Sequence, residues 1–176
     1  MQTSRLEQTM NPAPVCDEQG ASNILGILSN AELLRLGVAK RREYACGETI
    51  LVEGSIGRTL FLIEHGTLRI LPRVELDNQR RIQPGLCDLG PGEVFGELSL
   101  FEPVPRSATV MAVESCRLLE IDAAALTEYF DHNPAAGYLV VKELFGVLTK
   151  RLRQADRRFG QLLAWGLKAH RIDRHL

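Results

Sequence analysis

Between Val94 and Val110 an acid and a base stand at a spacing that suits an anionic, hydroxyl-bearing ligand. Glu97 follows Gly96, and Arg106 comes nine residues after Glu97, with Ser107 next to it. A glycine lets backbone approach a ligand closely. One short helical turn after it would present amides that have no partner inside the turn, which makes an anion site. An arginine lays a planar fork across such a site, and two parallel charge-assisted hydrogen bonds favour a phosphate. Glu97 cannot share that phosphate, because two anions repel. Its natural partner is a neutral hydroxyl pair such as the 2′-OH side of a ribose. Taken alone, Glu97 reads as a solvated helix carboxylate and Arg106 as half of a surface ion pair. Together, in one loop, they read as the sugar end and the phosphate end of a nucleotide. The run Gly90–Gly96 has one residue too many for a dinucleotide fingerprint and no βαβ context, so that alternative is set aside.

The elements that must hold this loop are short strands. From Arg41 to Ile121, glycines at 47, 54, 57, 66, 85, 90, 92 and 96 cut the chain into brief apolar runs. These are Thr49–Val52, Leu60–Ile63, Thr67–Leu71, Leu86–Leu89, Ala108–Val113 and Arg117–Ile121. Such spacing predicts an all-β sandwich or barrel, not a parallel sheet with crossover helices. Pro72–Gln83 is expected to be an exposed hairpin tip. Ser29 and Glu32 form a capping box that opens a short helix from Ala31 to about Leu36. Asp122 is expected to cap a second helix, Ala123–Phe130. Asn133-Pro134 then starts a long one that runs to about Trp165.

That last helix carries Val141, Phe145, Leu148, Leu152, Ala155, Phe159 and Leu162, which step by 4, 3, 4, 3, 4 and 3. Such a stripe packs helix against helix. It predicts pairing with a second copy of the chain, a fold-back onto the roll being the alternative. Gly146 and Gly160 each cost about 1 kcal/mol of helix propensity, so packing must hold the helix together. The arginines from Arg151 to Arg158 read as a solvated face, or otherwise as a site for an acidic partner.

The organisation expected is a flexible arm over 1–20, a binding unit over 21–133, a lid and dimerisation helix over 134–166, and a basic tail over 167–176. Lys and Arg number 21 against 22 Asp and Glu, a net charge of −1, so no general attraction to nucleic acid is expected. No run reaches the roughly 18 apolar residues of a membrane span, and the N-terminus has no signal-peptide core. Cys16, Cys46, Cys87 and Cys116 are 30, 41 and 29 residues apart, which fits no metal knuckle or redox pair. A cytoplasmic chain with reduced thiols is expected. His65, His132, His170 and His175 are scattered, so no metal and no metal-dependent β-barrel enzyme is expected.

Phe-Gly-Glu-Leu-Ser-Leu at 95–100, a four-residue loop, and Pro-Arg-Ser-Ala-Thr-Val at 105–110 resemble the phosphate-binding cassette of cyclic-nucleotide-binding domains. These occur in protein kinase A regulatory subunits, gated channels and catabolite activator-type transcription factors. The similarity extends over about residues 24–160, with Gly47-Glu48, Gly54, Gly66, Gly92 and the Asn133-Pro134 pair in place. It implies a mainly β fold with flanking helices, an antiparallel, jelly-roll-like β-roll (a double-stranded β-helix), in which Glu97 holds the ribose 2′-hydroxyl and Arg106 the cyclic phosphate. Ser107 and the amides of Gly96, Leu98, Ser99 and Ala108 would complete the cradle, with Ile70, Leu86 and Leu89 as an apolar wall beside ribose and base. It further implies binding without catalysis and without a cofactor. The phosphate would draw Gly96–Leu100 inward, Leu98 or Leu100 would meet Tyr129 or Phe130, and the long helix would close as a lid. Ser107 is like the activator-type arrangement that goes with cAMP, with cGMP as the alternative. Only about ten residues follow Trp165, too few for the helix-turn-helix of the activators, so no direct DNA contact is expected. A stand-alone sensor signalling to an unidentified effector protein is the expectation. The rivals are a ligand-free dimeric scaffold of the same fold and a truncated activator-type regulator.

Overall fold

The computed structural model describes residues 22–71, 74–76, 80–82 and 87–169. Two short helices lead, α1 (Ser22–Leu28) and α2 (Ala31–Arg35). Asn30, not Ser29, caps α2, its side chain accepting from the Glu32 amide at 3.0 Å. Twelve strands follow: β1 (Ala39–Tyr44), β2 (Thr49–Leu51), β3 (Ile56–Gly57), β4 (Thr59–His65), β5 (Leu68–Leu71), β6 (Val74–Leu76), β7 (Arg80–Ile82), β8 (Cys87–Leu89), β9 (Val94–Phe95), β10 (Val104–Pro105), β11 (Thr109–Ala112) and β12 (Cys116–Asp122). All the described pairings are antiparallel. One sheet runs β1-β12-β4-β9 and its mate runs β2-β11-β5-β8. Two-stranded pieces β3-β10 and β6-β7 complete the roll, the latter within the expected hairpin. This is the mainly antiparallel roll with flanking helices that the sequence predicts. The arm over 1–20, Leu86 and the end of the tail from His170 lie outside the described residues.

Strand β4 explains why the roll and the helices form one body. Its residues from Leu60 to Ile63 are all buried. Alternation along a strand sends them to opposite faces. Phe61 and Ile63 enter the core between the sheets, with Leu68, Leu89, Phe95, Val110 and Leu118. Leu60 and Leu62 enter a second core, where Ile24, Leu28, Leu33, Leu126, Phe130, Val140 and Leu144 of the helices meet Leu119 and Ile121 of β12. A strand covered on both faces reads as a continuous apolar run, which is why it was legible. β1 was not, because Lys40 to Glu43 are exposed and charged. Its outward side chains instead pair across strands, Arg41 with Glu64 at 3.0 Å and Arg42 with Glu120 at 3.3 Å.

Helix α3 (Ala123–His132) begins at Asp122, whose carboxylate accepts from the Ala125 amide at 2.9 Å. Asn133 ends it, and Pro134 opens the 36-residue α4 (Pro134–Ala169), which ends four residues beyond the expected Trp165. The corner is tight, since a Cβ on Gly137 would lie 2.9 Å from the Phe130 Cβ. No described helix is long and apolar enough to cross a membrane.

Candidate functional site

Strand β9 ends at Gly96, which adopts φ +75° and turns the chain into a single 3-10 turn, Glu97–Ser99. An L side chain there would be strained, and its Cβ would stand 2.8 Å from the Thr59 carbonyl and 2.9 Å from Arg106 Nη1. The turn uses the Ser99 amide on the Gly96 carbonyl and the Leu100 amide on the Glu97 carbonyl. The Ser99 amide expected in the cradle is therefore committed inside the turn. Its hydroxyl faces Arg106 instead.

Arg106 is 6% exposed. Its Nη1 donates to Ser99 Oγ at 3.0 Å and to the Gly96 carbonyl at 3.3 Å, and its Nη2 to the Thr59 carbonyl at 2.9 Å. All three acceptors are neutral, and among the described ion pairs none involves Arg106. Burial pushes its guanidinium below the ordinary value, and the nearby Glu97 carboxylate pulls it partly back. A buried cation held only by dipoles is short of a counter-charge. Ser107, Ala108, Gly96, Glu97, Leu98 and Ser99 surround it along one narrow cleft of about 80 Å³. The structure thus brings together all the cassette residues expected from the sequence.

The wall differs from the expectation in one place. Ile70 lines the cleft, whereas Leu89 is 1% exposed in the inter-sheet core and does not border it. The β5-β8 register sets Leu89 opposite Leu68, both pointing inward. Leu51, Phe95, Val104, Pro105 and Val110 line the cleft as well. Phe95 is fixed by a stacked contact with Phe61 at 4.8 Å. Leu51 was missed because a β-roll brings a distant strand to the mouth of the cleft, whereas Phe95, Val104, Pro105 and Val110 lie within the 94–110 segment itself and were passed over because they are apolar.

Glu97 shows the largest surprise. Its side chain is 7% exposed and pairs with Arg151 of α4, Nη1 to Oε1 at 2.6 Å. Arg151 Nη2 also donates to the Val94 carbonyl at 2.6 Å. One arginine of the run that read as a solvated face is a bridge from the long helix into the site. Of the two candidate leucines, Leu100 is the one buried against Phe130 and Val140, while Leu98 is half exposed. Thr127 Oγ1 gives its hydrogen to the Ala123 carbonyl within α3 at 2.7 Å and lies 3.4 Å from the Leu100 carbonyl, so α3 is seated against the turn.

The family model for the cyclic nucleotide-binding domain matches residues 41–133, the span from β1 to the α3–α4 corner. The chain belongs to this family. The domain is 37% identical over 123 residues to the cyclic AMP receptor protein of Thermus thermophilus, a match covering 70% of this chain and 53% of that protein. The crystal structure of the Thermus thermophilus catabolite activator protein superposes with a TM-score of 0.61 at 33% identity, covering 79% of this chain and 62% of the other. A cyclic nucleotide-binding domain from Methylobacillus flagellatus gives 0.64 at 26% identity, covering 77% and 79%. The domain spans about half the length of the curated relatives it matches first.

Proposed function

We propose that this domain is a cyclic-nucleotide sensor whose ligand is cAMP and whose output is the position of α4, read by a partner protein. The observation that carries the reading is the buried Arg106 guanidinium, which faces the cleft among neutral oxygens. A cyclic phosphate would supply the missing negative charge at the fork, and Ser107 beside it a hydroxyl. Glu97 would take the ribose 2′-hydroxyl, with Arg151 fixing the carboxylate from α4. Relatives whose names specify cAMP support that base, with cGMP as the alternative. No step is catalytic. The ligand acts by its differential affinity for two positions of the helix. The outward stripe on α4 makes a homodimer the working form. A net charge of −1 favours a protein effector over a polyanion.

The ligand-free scaffold gains one observation. Glu97 is already neutralised by Arg151, so half of the site is stable without a ligand. Calorimetric titration of nucleotide-free protein with cAMP and then cGMP separates the two readings. Micromolar or tighter saturable binding is expected. Arg106→Leu should weaken it by about 100-fold, since a charged hydrogen-bonded pair contributes roughly 1.5–3 kcal/mol. No heat at millimolar ligand would leave the scaffold. Unchanged affinity in the variant would remove Arg106 from the site.

A further inference from the structure

Helix α4 has two working faces, and Arg151 stands on their border. Val140 and Leu144 are buried in the helix–sheet core, and Arg151 reaches Glu97 about two turns further along the same side. The stripe begins one residue beyond Val140 and faces away from the roll. Phe145 is 71%, Leu152 62%, Phe159 68% and Leu162 68% exposed. With Phe145, Leu152 and Phe159 at heptad position a, and Val141, Leu148, Ala155 and Leu162 at d, Leu144, Arg151 and Arg158 fall at g. Asp156 falls at e.

In a parallel two-stranded pairing, each g residue meets the e residue of the partner's next heptad. That sets Leu144 beside Thr149, Arg158 beside Leu163, and Arg151 beside Asp156 of the partner subunit. No like charges meet. An antiparallel pairing sets g against g and brings the arginines together. Asp156 is exposed, and no ion pair within the chain involves it among the described residues. A guanidinium has five N–H donors. Arg151 spends Nη1 on Glu97 and Nη2 on Val94, which leaves its Nε–H edge for a second carboxylate.

We propose that in a parallel dimer Asp156 of the partner subunit grips Arg151 from outside while Arg151 grips Glu97, so that each nucleotide site is completed in trans. Asp156 is then a positioning residue, acting on the ribose end through Arg151. The inference rests on the reading of Glu97 as the ribose ligand and of α4 as the dimer helix.

The test is cAMP titration with sedimentation analysis of wild type, Asp156→Ala, Phe159→Glu (to split the seam) and the double variant. Asp156→Ala is expected to stay dimeric and lose about three- to fivefold in affinity, the range of a partly screened ion pair. Asp156→Glu should restore it, and the Asp156→Ala loss should vanish in the Phe159→Glu monomer. Mixing Asp156→Ala with Arg151→Ala subunits gives the decisive arm. The heterodimer contains one site with both Arg151 and a trans Asp156, so half of the heterodimer's sites, about a quarter of all sites in an equimolar random mixture, should regain wild-type affinity. An equal loss in the monomer, no loss in the dimer, or no recovery on mixing overturns the proposal. So does a wild-type chain that binds nucleotide as a monomer. Failure of the wild-type dimer to bind any cyclic nucleotide would instead sink the sensor reading on which the proposal stands.

Discussion

A guanidinium ringed by carbonyl and hydroxyl oxygens keeps its full charge available, whereas one beside a carboxylate has spent it. Arg106 is the first kind and Arg151 the second. That difference is why the proposed function gives the phosphate to Arg106 and not to Arg151. Glu93, one residue before β9, adds a pH signature. Burial pushes its carboxyl above the ordinary value, while the Gly90 amide and the Arg151 charge pull it back. The folded state therefore holds this proton to higher pH than the unfolded chain does. Its contribution to stability is full below the unfolded value and is lost as pH rises through the folded one. Glu93→Gln should flatten a decline in melting temperature as pH rises above the ordinary glutamate value of about 4, measured against wild type. An identical slope in the variant would mean that Glu93 titrates as it does when unfolded. At this scale the sequence was most informative, because Gly96, Glu97, Arg106 and Ser107 lie within one loop. Arg151 was hidden because its partner is 54 residues away and its neighbours are a run of like charges.

At the scale of elements, caps and burial decide where segments begin. Asp122 is the last residue of β12, and its carboxylate caps α3. Asp122→Ala should cost about 1 kcal/mol, read as a shifted urea midpoint with an unchanged slope. The strands with apolar runs, β2, β4, β5, β8, β11 and β12, were placed in the sequence to within one or two residues at each end. β1 escaped because its stability comes from pairing with β12 and from cross-strand ion pairs, which leave no apolar alternation to read. Helix α1 escaped for a related reason. Its seven residues are held by Ile24 and Leu28 in the helix–sheet core, and no cap announces it. The capping oxygen of α2 was misplaced by one residue, since Ser29 and Asn30 are adjacent and both able to cap.

At the scale of the whole molecule, two glycines in α4 predict opposite outcomes from one substitution. A Cβ at Gly146 meets nothing within 4 Å, so Gly146→Ala should stabilise by up to about 1 kcal/mol through helix propensity alone. A Cβ at Gly137 would lie 2.9 Å from Phe130, so Gly137→Ala should destabilise by roughly 1–3 kcal/mol as the α3–α4 corner opens. Equilibrium unfolding of the pair checks both signs; the same sign in both would mean that the corner yields freely. The tightness of that corner gives α4 a mechanical property. Thirty-six residues make an arm of about 54 Å, so each degree of tilt at Asn133-Pro134 carries the far end by roughly 1 Å. A shift too small to see in the cleft becomes a large stroke at Trp165. The leverage also works in reverse, because coupling between two binding events is reciprocal. On the proposed reading of α4 as the output, a partner that took hold of its distal end would need little force to bias the cleft, and would tune nucleotide affinity by as much as the nucleotide tunes its own.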